Sequence, residues 1–510
     1  MLIKVMSAAN LGLQTIAIDV EINVALRGLP IFEIVGLTTK AVDESKERVR
    51  TAIINSNVDF PAKRIIVNLA PADVPKEGSF YDLPIAVGIL SLTLDVALPK
   101  DSLFFGELSL DGSLRHVKGA LLLSLFAKEN GIKNIFLPKA SANEAAIVEG
   151  INIYGVENLS ELVAYLMGNV KLAPVKYRET KTIELDAQVE FDMAEVLGQE
   201  QAKRALEIAA SGGHNLFMVG SPGSGKTMMA RALPGILPPL TDGESLEVTK
   251  MYSASGHMPA QGSLIKLPPF RSPHHTTSRV GLIGGGTYPQ PGDVSLAHRG
   301  VLFLDELNEF PRSVLEVLRQ PLEDGFLTIS RSKNRVTFPS RFTLVASANP
   351  CPCGYLYHPK KACSCSSREI KKYAKRISGP LLDRIDLHVE VPVVDIKEFS
   401  ESEQAQSQEQ SKKIRERVIK ARQIQKERFI NDDIFVNAEM RNKHIKKYCK
   451  LSKEIKELLN QAAVTFQLSA RAYFKVIKVA RTIADLDNSE EIGVKHIAEA
   501  LQYRPKNKQE

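Results

Sequence analysis

Gly220-Ser-Pro-Gly-Ser-Gly-Lys-Thr227 is the stretch that decides the fold of this 510-residue chain. It matches the pattern G-x-x-x-x-G-K-[ST] in full, after an apolar run at 216–219 and before a helical pattern at 228–233. A strand that leads through such a loop into a helix presents backbone N–H groups and a helix N-terminus to phosphates. The stretch therefore predicts a site for ATP and Mg²⁺ on an α/β sheet. The residues predicted to hold the nucleotide are Gly220, Ser221, Pro222, Gly223, Ser224, Gly225, Lys226 and Thr227.

Within this loop, hereafter the P-loop, two side chains have predicted roles in phosphoryl transfer. Lys226 would reach the β- and γ-phosphates, and the Thr227 hydroxyl would bind Mg²⁺. Because both follow the last glycine directly, we expect them on the first turn of the helix.

Polar residues end two further apolar runs between the P-loop and residue 350. The run 301–304 ends in Asp305-Glu306, and the run 342–346 leads to Asn349. Ligands of parallel α/β sheets bind at the carboxyl ends of the strands. We expect Asp305 to hold Mg²⁺, directly or through water, Glu306 to deprotonate the attacking water, and Asn349 to position it. For the two acids, a surface turn is the alternative.

Two arginines are candidates for stabilising the charge of the transition state. Arg384 lies in the segment GPLLDRIDL at 379–387, and Arg471 follows Ser469-Ala. Spacing does not say which of them acts within its own subunit. An ordinary ion pair is the alternative for each.

The composition is that of a globular protein, with 44% hydrophobic and 25% charged residues. The longest apolar run, 83–94, is too short for a bilayer, and the first residues lack the pattern of a signal peptide. Five cysteines, four of them within fifteen residues, argue for a reducing compartment. We therefore expect a cytoplasmic protein with no membrane partner.

Charge is distributed unevenly along the chain. Residues 1–170 carry a net charge of −4 and residues 411–483 a net charge of +12, within a total of +7. A shorter stretch, 326–342, has four basic and no acidic residues. Uneven basicity is typical of proteins that bind polyanions. The alternative for 411–483 is an ordinary solvated helical face.

Two polar segments divide the chain. Residues 171–190 are polar, and residues 398–411 are rich in Ser, Glu and Gln and read as a linker. Short apolar runs alternate with helical patterns between them, which predicts an α/β sheet, and helices follow residue 411. The predicted domains are 1–170, an ATPase core at 191–397 and a helical lid at 412–505.

The motifs of the second domain occur in the order of AAA+ ATPases. Four segments narrow the resemblance to the ComM/YifB family of magnesium-chelatase-like proteins: PFRSPHHTTSRVGLIGGG (269–286), PGDVSLAHRGVLFLDELNEF (291–310), ANPCPCG (348–354) and ISGPLLDRIDLHVEVP (377–392). The resemblance implies that Asn349 is sensor 1, that Arg384 is an arginine finger reaching a neighbouring subunit, and that Arg471 is sensor 2 on the lid. It implies that 192–199 line the adenine pocket. It also implies a ring, expected to be a hexamer.

The activity that this resemblance implies is that of a DNA helicase promoting branch migration during natural transformation or recombination. In this clade a hairpin before the Asn349 strand inserts towards the pore of the ring. Arg331, Lys333 and Arg335 are therefore the candidates to contact DNA phosphates, which would give affinity without sequence specificity.

The first domain resembles the proteolytic domain of Lon, an S5-like α/β fold, over residues 60–90 and 106–138. Lon hydrolyses peptides with a Ser-Lys dyad. In an ungapped comparison, Phe80 takes the serine position and Leu121 the lysine position. Because a nucleophile needs a base within hydrogen-bond reach, we expect a domain without the catalytic dyad. A shifted dyad of Ser79 and Lys118 stays open.

Two C-x-C pairs stand close together in the sequence: Cys351, Cys353, Cys363 and Cys365. Four thiolates could bind structural Zn²⁺ beside Asn349, although the spacing is tighter than the usual C-x₂₋₄-C. Free or redox-active thiols are the alternative. Cys449 stands alone and is expected to pack, and adjacent His274 and His275 are not expected to bind a metal.

Two other functions fit parts of the sequence. One is the motor subunit of a true magnesium chelatase, which does not need the first domain. The other is an ATP-driven protein remodeller whose first domain grips polypeptides, in which case protein rather than DNA would stimulate hydrolysis.

Overall fold

The computed structural model describes residues 1–25, 29–36, 40–74, 76, 78–177, 190–259, 262–286, 289–330, 335–393 and 409–505. The chain divides into two compact units, 1–182 with 245–265, and 183–244 with 266–510. The segment 245–265 lies within the ATPase core that we predicted from the sequence, yet it packs with the first unit. Most of the predicted linkers 171–190 and 398–411 lies outside the described residues.

The first unit contains a seven-stranded mixed sheet. In spatial order its strands are Ile31–Val35, Arg64–Ala70, Gln14–Ala25, Leu2–Leu11, Ser102–Phe104, Asn134–Pro138 and Asn152–Val156. Leu2–Leu11 and Arg64–Ala70 run antiparallel to Gln14–Ala25, and the remaining neighbours are parallel. The helices of this unit are Lys40–Asp43, Ser45–Asn55, Asp82–Leu94, Ala120–Glu129, Lys139–Ala145 and Leu159–Leu166.

The helix Asp82–Leu94 lies in the core of this unit. Its residues 82–91 are all buried, which agrees with a sequence that is apolar on every face. Gly88 allows the close approach, because a Cβ there would lie 2.0 Å from Ile22 Cδ1. The first unit is therefore a mixed α/β structure, and its likeness to Lon stays a prediction.

The second unit is built on five parallel strands. Their order is Phe270–Arg271, Val301–Leu304, Thr343–Ala348, Leu216–Gly220 and Leu387–Val391, so that the P-loop strand lies inside the sheet. Every residue of Val301–Leu304 and Thr343–Ala348 is buried, as expected for parallel strands covered on both faces. The predicted α/β sheet is confirmed.

Helices and two antiparallel strand pairs, one of them Gly284–Gly285 with Gln290–Pro291, complete the described part of the second unit. The helices before residue 400 are Glu200–Gly212, Lys226–Ala232, Arg279–Ile283, Asp293–Leu296, Arg312–Leu315, Arg319–Asp324, Ser367–Ala374 and Gly379–Leu382, and Asp242–Ser255 begins in this unit. The other pair is a hairpin of Phe326–Ser330 with Arg335–Pro339. The helices after residue 410 are Ser411–Arg428, Asn442–Tyr448, Lys453–Thr465, Ala470–Leu486 and Val494–Gln502.

The helices after residue 410 share one hydrophobic core with the sheet. Val418 and Ile483 belong to the same buried cluster as Leu216 and Val389 of two neighbouring strands. These helices therefore pack directly on the sheet. In the described part of the chain, none of the helices has the length and apolarity needed to cross a membrane.

A buried carboxylate joins the helix Ala470–Leu486 to the sheet. Asp386 precedes the strand Leu387–Val391, accepts a hydrogen bond from Asn215 N at 3.1 Å and lies 3.0 Å from Lys475 Nζ. Burial opposes ionisation of Asp386, but Lys475 and His214 outweigh it and hold the pKa of this carboxyl well below its usual range. The ion pair therefore ties Ala470–Leu486 to the edge of the sheet.

Candidate nucleotide site

The P-loop runs from the strand Leu216–Gly220 to the helix Lys226–Ala232, as predicted. Gly223 and Gly225 have φ values of +77° and +89°, a conformation that glycine adopts without strain. At Gly220 a Cβ would lie 2.3 Å from the Val391 carbonyl of the neighbouring strand. The glycines therefore allow both the turn of the loop and its close packing on the sheet.

Lys226 lies inside the concavity of this loop. Its ammonium group donates to the carbonyls of Gly220 at 2.8 Å and Ser221 at 2.9 Å, and only 8% of the residue is exposed. Burial lowers the pKa of Lys226, and the nearby acids Asp305 and Glu306 oppose that shift. A buried cation held by neutral carbonyls is well placed to bind an anionic phosphate.

Thr227, on the first turn of the helix Lys226–Ala232, meets Asp305 at the carboxyl end of the strand Val301–Leu304. Thr227 Oγ1 donates to Asp305 Oδ2 at 2.7 Å, and Ser347 Oγ donates to Asp305 Oδ1. The hydroxyl and carboxylate oxygens that we predicted as Mg²⁺ ligands are thus brought together, and oxygen ligands are those that Mg²⁺ prefers. Sequence reasoning missed Ser347, although it lies two residues before Asn349, near the end of the strand Thr343–Ala348.

Glu306 follows Asp305 at the carboxyl end of its strand, and its side chain is accessible to solvent. Its backbone has φ +52° and its N–H donates to Asp305 Oδ1 at 3.0 Å. The side chain is 52% exposed, and His275 Nδ1 lies 3.7 Å from Glu306 Oε2. A carboxylate in this position could accept a proton from a water beside the γ-phosphate. The contact with His275 could not be found from spacing.

Asn349 comes directly after the strand Thr343–Ala348. The parallel register pairs Val219 with Ala348, so Asn349 is level with the first residue of the P-loop. The predicted segment 192–199 lies near the same edge: Gln199 Nε2 donates to the Pro392 carbonyl at 2.6 Å and Asp192 Oδ1 accepts from Ser411 N at 3.0 Å. The roles of Asn349 and of this segment stay predictions.

The two candidate arginines share one carboxylate. Arg384 Nη2 and Arg471 Nη2 each bind an oxygen of Glu323, and Arg384 Nη1 also donates to the Pro380 carbonyl at 2.7 Å. Beside them opens a cavity of about 520 Å³, which Lys475 also lines. The structure thus places both arginines together. It also identifies Glu323 as their shared partner, which neither sequence motif predicts.

The basic candidates for DNA binding are only partly described. Arg335 begins the second strand of the predicted hairpin and is exposed, while Arg331 and Lys333 lie outside the described residues. Several cations of 411–483 are engaged internally: Arg415 donates to the Gly235 carbonyl, and Arg428 and Arg481 bind Asp485. The charge of this region is therefore only partly available to a ligand.

Exposed lysines nevertheless remain on the lid helices. In the described part of the chain, those without an ion pair to an aspartate are Lys412, Lys413, Lys420, Lys426, Lys443, Lys446, Lys453 and Lys456, while Lys447 and Lys495 are exposed but pair with Asp432 and Asp487. These residues carry the part of the net charge that faces solvent.

The four clustered cysteines come together as a group. Their Sγ atoms all lie within 4.8 Å of one another, and all four are free thiols. Cys449 is buried elsewhere, near Met440. The predicted metal ligands are thus adjacent, and this is the candidate metal centre of the described residues.

In the first unit, the positions compared with the Lon dyad carry no reactive pair. Phe80 stacks on Phe105 with ring centroids 4.8 Å apart, and Leu121 is fully buried. Ser79 Oγ donates to Glu107, and the side chain of Lys118 lies against Gly256. Each residue of the shifted alternative therefore has its own separate partner.

Comparison with known proteins bears on the whole chain. Three family models match: magnesium chelatase subunit ChlI at 192–399, subunit ChlI of Mg-chelatase at 20–141, and the ChlI C-terminal model at 408–504. The competence protein ComM of Haemophilus influenzae is 42% identical over 507 residues, 98% of this chain and 97% of ComM. The uncharacterised protein YifB of Escherichia coli K12 is 40% identical over 97% of this chain and 96% of YifB.

A more distant relative is the magnesium-chelatase subunit ChlI homologue of Methanocaldococcus jannaschii. It is 23% identical over 341 residues, which cover 62% of this chain and 87% of the homologue. The full-length matches and the assembled P-loop site agree. The chain therefore belongs to the ComM/YifB family of magnesium-chelatase-like AAA+ ATPases.

Proposed function

We propose that this chain is the subunit of a ring-forming, Mg²⁺- and ATP-dependent DNA motor, a helicase or translocase that promotes branch migration in recombination or natural transformation. The observation that carries the motor part is the assembled site, in which Thr227 lies 2.7 Å from Asp305 beside the buried Lys226. The DNA part is supported by the full-length similarity to a protein named for competence and by the exposed lysines of the lid.

In this proposal the P-loop binds the phosphates of ATP, and residues at the strand ends act on the attacking water. Backbone N–H groups of the P-loop and Lys226 bind the phosphates, and Thr227 and Asp305 would hold Mg²⁺. When bound, Mg²⁺ supplies positive charge that neutralises the phosphate oxygens. Glu306 accepts the proton of the attacking water, and Asn349 orients that water. Each group lies at the carboxyl edge of the same parallel sheet.

The ring is proposed from the two arginines. Both guanidinium groups pair with Glu323 beside an open cavity, where a nucleotide held by a neighbouring subunit could meet them. We propose that Arg384 acts as the finger and Arg471 as sensor 2 in a hexamer. An arginine that approaches from another subunit stabilises the transition state only when the ring has formed.

The proposed cofactors are ATP and Mg²⁺, with a structural Zn²⁺ ion in the cysteine cluster. We also propose that the protein works in the cytoplasm, where thiols stay reduced. The first unit, in this proposal, is a Lon-like scaffold without peptidase activity, since Phe80 and Leu121 occupy the two reactive positions.

A role as motor subunit of a magnesium chelatase is the second candidate, because a ChlI homologue matches 62% of this chain. Against it stands the higher identity to ComM, 42% over 98% of this chain, compared with 23% over 62% for the ChlI homologue. The two roles predict different activators of ATP hydrolysis.

The experiment measures ATP turnover by the purified protein with branched DNA, with an unfolded polypeptide, and with neither. The proposal expects branched DNA to raise the turnover, and the stimulation to fall steeply as salt rises, because phosphate contacts release counterions. Lys226→Ala should remove all turnover, and Lys128→Ala, on a helix of the first unit, serves as the control. Stimulation by polypeptide alone would favour a protein remodeller, and indifference to every DNA would overturn the DNA proposal.

A further inference from the structure

The four clustered thiols have the spacing of a tetrahedral metal site. Cys351 Sγ lies 3.4 Å from Cys353 Sγ and 3.7 Å from Cys363 Sγ, and the last two are 3.5 Å apart. A disulfide would bring two sulfurs to about 2.05 Å. Four sulfurs at about 2.3 Å from a Zn²⁺ ion lie about 3.8 Å from one another. The observed separations therefore fit a shared metal ion and not a pair of disulfides.

The loop that carries these thiols is held by polar and ring contacts and not by apolar burial. Between Cys351 and Ser366, none of the side chains belongs to a hydrophobic core of the described residues, and 359–362 are exposed. The chain closes this loop by bringing Cys353 N within 3.4 Å of Cys365 Sγ. A metal ion would supply the cross-link that apolar burial does not supply here.

The same loop touches the P-loop. Gly354 N donates to the Cys351 carbonyl at 3.0 Å, which closes a tight turn, and Gly354 has φ +82°. A Cβ at Gly354 would lie 2.6 Å from Pro222 Cδ and 3.9 Å from Asn349 Cγ. The turn that presents two of the thiols thus packs directly on the P-loop and beside the predicted sensor 1.

We propose that a Zn²⁺ ion bound by Cys351, Cys353, Cys363 and Cys365 fixes this turn against Pro222, so that nucleotide affinity depends on the metal. The proposal rests on nucleotide binding by the P-loop, as proposed above. The metal is a positioning element: it holds the turn, and the turn limits where the P-loop can move. Loss of the metal frees the turn and weakens nucleotide binding.

The experiment has two readouts on the same full-length protein: metal content, and affinity for a fluorescent ATP analogue. Wild type should hold about one Zn²⁺ per chain, and Co²⁺ in its place should show the absorption bands of tetrahedral thiolate ligation. Cys353→Ser with Cys365→Ser should lose the metal and weaken analogue binding by about fivefold to a hundredfold, the usual range for coupled sites. Cys449→Ala is the control and should change neither readout.

A second variant keeps the proposal testable if the double variant does not fold. Gly354→Ala leaves all four thiols in place but drives a Cβ into Pro222, so it should retain the metal and lose nucleotide affinity. Gly243→Ala, where a Cβ meets no atom within 4 Å, is its control. Chelation of Zn²⁺ from folded wild type, followed by its return, should lower and then restore affinity.

The outcomes separate the two proposals. Wild type without metal would overturn the metal site, and metal loss with unchanged analogue affinity would overturn the coupling. A protein that binds Zn²⁺ but no nucleotide under any condition would instead contradict the proposed ATPase and leave the metal site standing.

Discussion

The carboxylates of the two units differ in their exposure and in their hydrogen-bond partners. In the second unit Glu306 keeps half of its side chain exposed at a strand end, and Asp305 accepts hydrogen bonds from the hydroxyls of Thr227 and Ser347. In the first unit the carboxylates of Asp82 and Glu144 are buried and bound by fixed internal partners.

The partners of the two buried acids show what they do. Asp82 accepts from Arg48 Nε at 2.8 Å and Leu108 N at 3.2 Å. Glu144 accepts from Leu121 N at 3.0 Å and from Ser253 Oγ at 2.6 Å, which fastens the segment 245–265 to the first unit. Burial raises the pKa of both carboxyls, although these hydrogen bonds oppose it. Carboxylates saturated in this way hold a fold, and only those left reachable can do chemistry.

Among variants that leave the P-loop intact, Arg384→Ala should have the largest effect, because a finger arginine contributes roughly a thousandfold to turnover. The matched control is Arg376→Ala, whose guanidinium pairs with Glu309 at 2.9 Å on the surface. ATP turnover checks both.

Mixing Arg384→Ala with Lys226→Ala tests whether this arginine acts between subunits. Arg384→Ala and Lys226→Ala should each be inactive alone, but mixed rings would contain interfaces with an intact lysine and an intact arginine. Turnover should therefore reappear on mixing. A mixture that stays inactive, at concentrations where the ring forms, contradicts an arginine that acts between subunits.

Glu306→Gln should lower turnover by about a hundredfold to a thousandfold, because the amide cannot accept the proton of the attacking water. Binding of ATP should remain, since Lys226 and the P-loop are unchanged. Glu309→Gln, three residues further on, is the control and should leave the rate near that of wild type. Equal rates for both glutamine variants would mean that the reachable carboxylate is not the base.

Much of the candidate nucleotide site, at the carboxyl edge of the sheet of the second unit, could be predicted from the sequence. Each of its residues lies next to a strand or helix of recognisable pattern. Asp305 and Glu306 follow an apolar run directly, Lys226 and Thr227 follow the last glycine of the P-loop, and Asn349 comes three residues after an apolar run. Parallel strands bring these ends together. Local spacing is enough for such residues.

The partners that join distant parts of the chain could not be predicted. Glu323 is 148 residues from Arg471 and carries no motif. The basic charge of 411–483 gave no sign that Arg415, Arg428 and Arg481 have internal partners, because burial depends on how the helices pack. The transfer of 245–265 to the first unit was missed for the same reason.

Asp386→Asn tests a carboxylate of the second unit that holds the fold. Removing one member of a buried ion pair costs about 3–5 kcal/mol, so the variant should unfold at lower urea concentration. Asp383→Asn, at an exposed neighbouring position, is the control.

The pH dependence follows from the depressed pKa of Asp386. A carboxyl group whose pKa is lower in the folded than in the unfolded state stabilises the fold at pH values above its unfolded-state pKa of about 3.9. This contribution is lost as the pH falls below that pKa. The difference in free energy of unfolding between wild type and Asp386→Asn should therefore be full at pH 7 and shrink below about pH 4. A difference that does not change with pH would contradict the ion pair.

The smallest effect should come from the first unit. Ser79→Ala and Lys118→Ala should leave DNA-stimulated ATP turnover within about twofold of wild type, as usual for substitutions away from a site. Wild type should cleave no fluorescent peptide. Peptide hydrolysis that either substitution abolishes would show that the shifted dyad is active. It would contradict the view that the first unit, unlike the second, carries no reactive site.

The most direct test of the account is strand movement on a labelled three-stranded junction, with ATP and Mg²⁺ present. Wild type should resolve the junction, while Glu306→Gln should bind it and leave it unresolved, and Glu309→Gln should behave as wild type. Resolution by Glu306→Gln at the wild-type rate, or no movement of any junction by a wild type that hydrolyses ATP, would contradict a DNA motor driven from this site.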